Sequence, residues 1–272
     1  MRTMQTLTDT AALARNRARA TVDFLHQRAR DDLQERLEEV NRTFTSAALV
    51  TPRPSLWQGF PAARTVPDAE TLDLAPGAHD LLIHDLSLHW ANDLVGQLVQ
   101  SRRALAPDGL FLATLFGGQT LNELRVALAQ AETHVTGGLS PRVAPMAEIR
   151  DLGGLLQRAG LALPVADSDT VRVSYPDLPA LMRDLRAMGE GNALDARLRR
   201  PTRAAVLRHA AEIYAEHFTG PDGRLTATFE IITLTGWAPS ADQPQPLRPG
   251  SATARLADAL GTTENPRDIP QD

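Results

Sequence analysis

The residues with the most chemical potential crowd between His79 and Asp93. Three histidines, His79, His84 and His89, alternate with Asp80, Asp85 and Asp93, and Ser87-Leu88-His89-Trp90 lies inside the cluster. Two imidazoles and a carboxylate can hold iron. A histidine every five residues along a strand and turn sends successive rings in different directions, however, because strand side chains alternate faces. Satisfied or solvated histidines are therefore the expectation, and no metal is assigned. Ser87 to Trp90 suit the wall of a ligand pocket, with Trp90 offering a flat face to an adenine-like ring. The other reading is a helix-capping serine followed by a buried tryptophan with its N–H satisfied.

Elsewhere the chemistry is thinner. Ser87 and Ser140 lack the glycine-flanked elbow and the neighbouring base that nucleophilic catalysis needs. Gly117-Gly118 either admits a substrate close to the backbone or makes a turn. Glu190 and Arg125 either touch a substrate or serve as surface and capping residues. Gly189-Glu190-Gly191-Asn192 follows a helical stretch rather than a strand, which favours a helix C-cap over a phosphate loop. No residue is assigned a catalytic role.

The whole chain narrows the options further. Its 272 residues and 43% apolar content suffice for one sizeable domain or two small ones. A net charge of -5 and the absence of a basic, aromatic-interleaved stripe argue against nucleic acid as the main partner. There is no cysteine, so disulfides, thiolate nucleophiles and zinc-thiolate sites are excluded, and a reducing, cytoplasmic setting is the expectation. There is no lysine either, which excludes Schiff-base chemistry and a P-loop. No apolar window is long enough to span a bilayer.

Elements that could position the His79–Asp93 cluster are legible around it. Leu81 to Ile83 and Leu110 to Phe116 are continuously apolar, as parallel strands covered on both faces are, and a helical pattern joins them, giving a right-handed βαβ unit. Residues 9 to about 44 read as one long amphipathic N-terminal helix capped by Asp9. Ala47 to Val50 is a short strand, and Ala62 to Val66 is the best candidate for another. Between Val50 and Leu81 stand Pro52, Pro54, Pro61, Pro67 and Pro76, leaving room for at most one full βα unit and a fragment. Thr120 to His134 and Pro145 to Ala159 read as helices, and Asp167–Tyr175 and Thr226–Trp237 alternate as strands. A helical insert, 178–218, separates those two strands. The expected domains are the N-terminal helix (1–44), an α/β domain (45–238) and a partly disordered tail (239–272).

The segments DLLIHDLSLHWANDL, LAPDGLFLATLFGGQTLNELR, GGLSPRVAP, DLGGLLQRAG, VSYPDLPALMRDLRAMGEGN and the late PGSATA occur in order from about Asp80 to Ala254. They closely resemble the class I methyltransferase-like family that assists assembly of respiratory complex I. More distantly they resemble the enzyme that methylates a malonyl thioester at the start of biotin synthesis. The resemblance implies a Rossmann-like α/β fold in which Asp80–Ile83 is the fourth strand and Leu110–Phe116 the fifth, with an antiparallel edge formed by the two late strands. It implies that Ser87, Leu88, His89 and Trp90 flank a crevice for S-adenosylmethionine, while Gly117, Gly118, Arg125 and Ser140 lie on the substrate side beneath a helical cap. A complex I subunit is the implied partner.

One stretch departs from the family. Its first strand should end in an acidic, glycine-rich turn that lets the backbone approach the cofactor. Here Thr51-Pro52-Arg53-Pro54-Ser55 contains no glycine, and Asp68 and Glu70 are the only candidates for the acid that should hold the ribose. A sheet truncated on the first-strand side and a degenerate cofactor site are expected. The function implied is complex I assembly or modification of a protein partner, the alternative being an active methyltransferase on a small molecule or acyl thioester.

Overall fold

A computed structural model describes residues 6–243; residues 244–272, with PGSATA and most of the expected disordered tail, lie outside the described residues. The chain divides after Pro239 into a large unit and a second, of which only the short turn at residues 240–243 is described.

Six strands form one sheet in the order β2-β1-β3-β4-β6-β5: β1 (Ala47–Val50), β2 (Ala62–Val66), β3 (His79–His84), β4 (Leu105–Phe116), β5 (Ala162–Tyr175) and β6 (Leu225–Trp237). The first four are parallel, and the last two join antiparallel. Two strands, not three, precede the His79–His84 strand. It is the third strand of this chain, and the sheet is short on the first-strand side, as expected. The prolines explain the shortening. Only a 3-10 turn, Pro54–Trp57, separates β1 from β2, and no helix separates β2 from β3, since proline breaks helices and cannot donate to a ladder.

Strand periodicity divides the core. Ala47, Leu49, Leu81, Ile83, Leu110 and Leu112 pack on one face with Leu33 of α2 (Phe24–Glu39). Ala48, Val50, Leu82, Phe111 and Ala113 pack on the other, with Leu98 of α3 (Leu94–Ala104) and Leu152 and Leu156 of α5 (Ile149–Arg158). Both faces are covered, so the central strands are apolar throughout.

The N-terminal segment is not one helix. It is α1 (Thr10–Arg17), capped by the Asp9 carboxylate on Ala12 N–H at 2.9 Å, and then α2. Between them Thr21 and Val22 donate their N–H groups to the Ala187 carbonyl at 2.7 and 3.0 Å, which pulls the chain off the helical path. The insert consists of α6 (Leu178–Ala187) and α7 (Ala204–His217), joined by irregular chain. Leu181, Leu185, Val206, Ala210 and Tyr214 share a core cluster with Phe116, Phe229 and α4 (Asn122–Thr136). It is integral to the fold.

Candidate functional site

The carboxyl ends of β2 and β3 open on a crevice, the usual ligand position of a parallel sheet. Residues 7–17 lie along it. Leu7 and Thr8 N–H donate to Asn92 Oδ1 at 2.9 and 2.8 Å, and Asp9 N–H donates to the Ala193 carbonyl at 2.8 Å. A cavity of about 960 Å³ remains, walled by Leu13 and Arg17 of α1 and by Asp68, His84, Ser87 and Trp90. Asp68, two residues past β2, stands where the family's ribose acid is expected, but both its oxygens accept from Arg17 Nη1 at 3.0 and 2.7 Å.

The turn after β1 is filled with side chains. Buried Asp85, just past β3, accepts on Oδ2 from Thr51 Oγ1 at 2.7 Å and Trp57 Nε1 at 2.9 Å, while its Oδ1 has no partner among the described residues. Arg53 pairs with Asp23 at 2.7 Å and donates to the Met188 carbonyl at 2.6 Å. None of Thr51 to Ser55 reaches the cavity wall.

Burial pushes the Asp85 carboxyl up to about 6, even though the Thr51 and Trp57 hydrogen bonds favour its charge. A raised carboxyl pKa means that the folded state keeps a proton the unfolded chain has released. Stability from this group is therefore lost as pH rises from 4 through 6, by about 3 kcal/mol. His26 and His84, pushed down to about 4 by burial, slope the opposite way in the same window. The effect is therefore read as a difference: urea midpoints of wild type minus Asp85→Asn should fall between pH 4 and pH 7, and a constant difference would refute the assignment.

The predicted wall residues are buried together. Ser87 Oγ lies 3.2 Å from His84 Nδ1, and His84 Nε2 lies 3.5 Å from Gln97 Oε1. The amide oxygen only accepts, so His84 carries its proton on Nε2 and takes the serine hydroxyl on Nδ1. Leu88 enters the apolar core on the α3 side. His89 Nδ1 accepts the Phe116 N–H at 3.5 Å, leaving Nε2–H to donate to Glu190 Oε2 at 3.3 Å. Trp90 Nε1 donates to the same oxygen at 2.7 Å. His79 instead faces the Ser46 carbonyl at 3.2 Å, so the three histidines diverge, and no group of three metal-ligating side chains forms among the described residues.

Trp90 is a shared wall. Behind it lies a second cavity of about 380 Å³, floored by Phe116, Leu124 and Phe229, with Glu190 and Arg142 at its polar side. The Glu190 side chain is 8% exposed. Burial opposes its charge, but the His89 hydrogen bond and neighbouring positive groups outweigh burial and hold its pKa at about 2. Its Oε1 takes no hydrogen bond from the described residues. Arg142 is committed to Glu132 at 2.6 Å.

The four residues assigned to the substrate side stand one layer back. Gly117 and Gly118 form a turn against which the Glu230 and Glu148 carboxylates pack, leaving no room for a Cβ. Arg125 donates to the Gly118, Thr120 and Ala144 carbonyls at 3.3, 3.4 and 3.4 Å. Ser140 Oγ donates to Glu132 at 2.8 Å, steadying the partner of Arg142. None of the four lines the cavity. Sequence reasoning missed Arg17 and Arg142, which only tertiary structure brings here. Gly189 (φ +80°) ends α6 as a C-cap should, and that left-handed turn aims Glu190 inward.

No family model matches the chain. Relatives with curated names do. It is 41% identical over 202 residues, 73% of this chain and 62% of the relative, to the mitochondrial arginine-hydroxylase NDUFAF5 of Danio rerio. It is 38% identical over 183 residues, 67% of this chain and 59% of the relative, to the malonyl-[acyl-carrier protein] O-methyltransferase of Xylella fastidiosa (strain M23). Among solved structures, a candidate methyltransferase from Bacillus halodurans C-125 superposes with a TM-score of 0.50 at 13% identity, covering 76% of this chain and 99% of that one. In sequence the chain is similar to these methyltransferase-like relatives, and its fold is the Rossmann-like fold of the solved methyltransferase structure. The chain spans about 60% of the length of the curated relatives it matches. Among the described residues no helix is long and apolar enough to cross a membrane.

Proposed function

We propose that this chain is a methyltransferase-like protein that recognises a protein partner, acts in assembly or modification of a respiratory complex I subunit, and has a degenerate S-adenosylmethionine site. One observation carries the last point. The turn that should yield to the cofactor backbone-first is glycine-free and packed by Thr51, Arg53 and Trp57 against Asp85, Asp23 and the Met188 carbonyl. Asp68, the candidate ribose acid, is already held by Arg17. The side chains present do not fit S-adenosylmethionine as the family holds it, and no chemical step is derived through it.

The Trp90–Glu190 cavity supports recognition of an arginine side chain, the residue named in the arginine-hydroxylase relatives. Aromatic Trp90 and Phe116 suit the flat face of a guanidinium, and Glu190 presents to its N–H groups an Oε1 that takes no hydrogen bond from the described residues. Titration calorimetry of the intact chain is expected to show no saturable S-adenosylmethionine binding up to about millimolar ligand. Saturable micromolar affinity would overturn the degenerate-site reading in favour of an active methyltransferase of a small molecule or acyl thioester.

A further inference from the structure

The outer side of the α6–α7 pair carries a second apolar groove, of about 360 Å³, that the reading above does not use. Its floor is Leu178, Met182, Leu207 and Ala211, and its rim is Arg183, Arg186 and Arg208; among the described residues no carboxylate lines it. All three arginines are exposed, and none of their guanidinium groups makes an ion pair or hydrogen bond among the described residues. Several arginines elsewhere are committed, among them Arg17 to Asp68, Arg36 to Asp32 and Asp167, Arg142 to Glu132 and Arg197 to Asp9. The nearest acid of α6, Asp184, accepts from the Tyr175 hydroxyl at 2.6 Å. A chain of net charge -5 thus leaves three guanidinium groups unanswered around an apolar trough. The trough also leads inward, because Met182, Arg186 and Leu207 line both it and the Trp90–Glu190 cavity.

We propose that the α6–α7 groove docks an acidic, apolar-anchored segment of a partner protein and delivers one of its side chains past Arg186 into the Trp90–Glu190 cavity. Apolar side chains at helical spacing fill such a groove, and carboxylates between them meet the rim guanidiniums in the bidentate geometry arginine favours. The inference rests on the reading that the chain handles a protein partner, and adds where that partner sits and which charge it bears.

The test is fluorescence anisotropy of the full chain with a labelled synthetic helix of about 18 residues, leucines at i, i+3, i+4 and i+7 and glutamates between them. A control peptide carries arginine in place of glutamate. Wild type should bind the acidic peptide saturably and the basic one poorly. Arg183→Glu with Arg208→Glu, both at exposed positions, should weaken acidic-peptide binding by about tenfold and raise affinity for the basic peptide, with an unchanged melting temperature. No saturable acidic-peptide binding, or equal affinity in the double variant, overturns the proposal. So does binding confined to anionic phosphatidylglycerol vesicles and lost in the same variant, which would make the face a membrane contact. S-adenosylmethionine titration of the same samples reports separately on the cofactor reading, so either can fail alone.

Discussion

Glu190→Gln is expected to lower the unfolding free energy by about 3 kcal/mol at neutral pH. The figure follows from the carboxylate being held at about 2 against an ordinary 4.5. One oxygen, Oε2, collects the Trp90 indole N–H and the His89 Nε2–H. The neutral amide accepts these bonds more weakly than the carboxylate does, a cost of the same order as a broken buried charge network. For a chain of this size, 3 kcal/mol is a melting-temperature drop of about 6 to 12 °C.

The pH dependence gives the prediction its sign. A carboxyl depressed by folding adds stability that is present above the unfolded pKa of 4.5 and is lost as pH falls toward 2. The gap between wild type and Glu190→Gln should therefore be full at pH 7 and shrink steadily from pH 4.5 to 2.5. A gap of equal size at both ends would mean that shape, not charge, is what Glu190 supplies. This window lies below most of the Asp85 window, so Asp85→Asn and Glu190→Gln should change opposite limbs of the stability curve.

How much of this was legible follows from which interactions are local. The βαβ core around His79–Phe116 could be read because both its strands are buried on both faces, and burial on two faces leaves an unbroken apolar run. The shortened sheet could be read from five prolines, since proline acts on its own backbone. The break between α1 and α2 could not. Helical spacing of apolar residues continues across it, and what ends the helix is a pair of hydrogen bonds from Thr21 and Val22 to Ala187, far along the chain. The site divides the same way. Ser87 to Trp90 read as one contiguous wall, but the structure puts only Ser87 and Trp90 on the crevice, sends Leu88 into the core, and sets His89 and Trp90 against Glu190, whose glycine-flanked turn announced a cap but not the direction of its carboxylate. Arg17 looked like one more charge on a solvated helix face. Only the strap made by residues 7–17 brings it to Asp68. Gly117, Gly118, Arg125 and Ser140 lie near the right place but support the wall from behind, a distinction that residue type and order do not encode.

Trp90→Ala is expected to cost about 3 to 5 kcal/mol, within the range for removing a large buried aromatic side chain. Trp90 is 5% exposed and stands between the two cavities, so truncation removes packing that neither side can collapse to replace. It also strips Glu190 of its shorter hydrogen bond, leaving a buried carboxylate with His89 alone. Trp90→Phe separates the two losses. Phenylalanine keeps most of the apolar partition and lacks the N–H, so it should cost about 1 to 2 kcal/mol, the worth of one hydrogen bond to a charged group. Denaturant midpoints of the two variants decide what the residue is. If Trp90→Phe is as damaging as Trp90→Ala, the indole acts chiefly as the donor that fixes Glu190. If it is nearly neutral, the indole acts chiefly as a wall. The expected intermediate result means both: the ring that bounds the crevice also fixes the carboxylate of the neighbouring cavity. Filling one side then bears on the charge presented to the other.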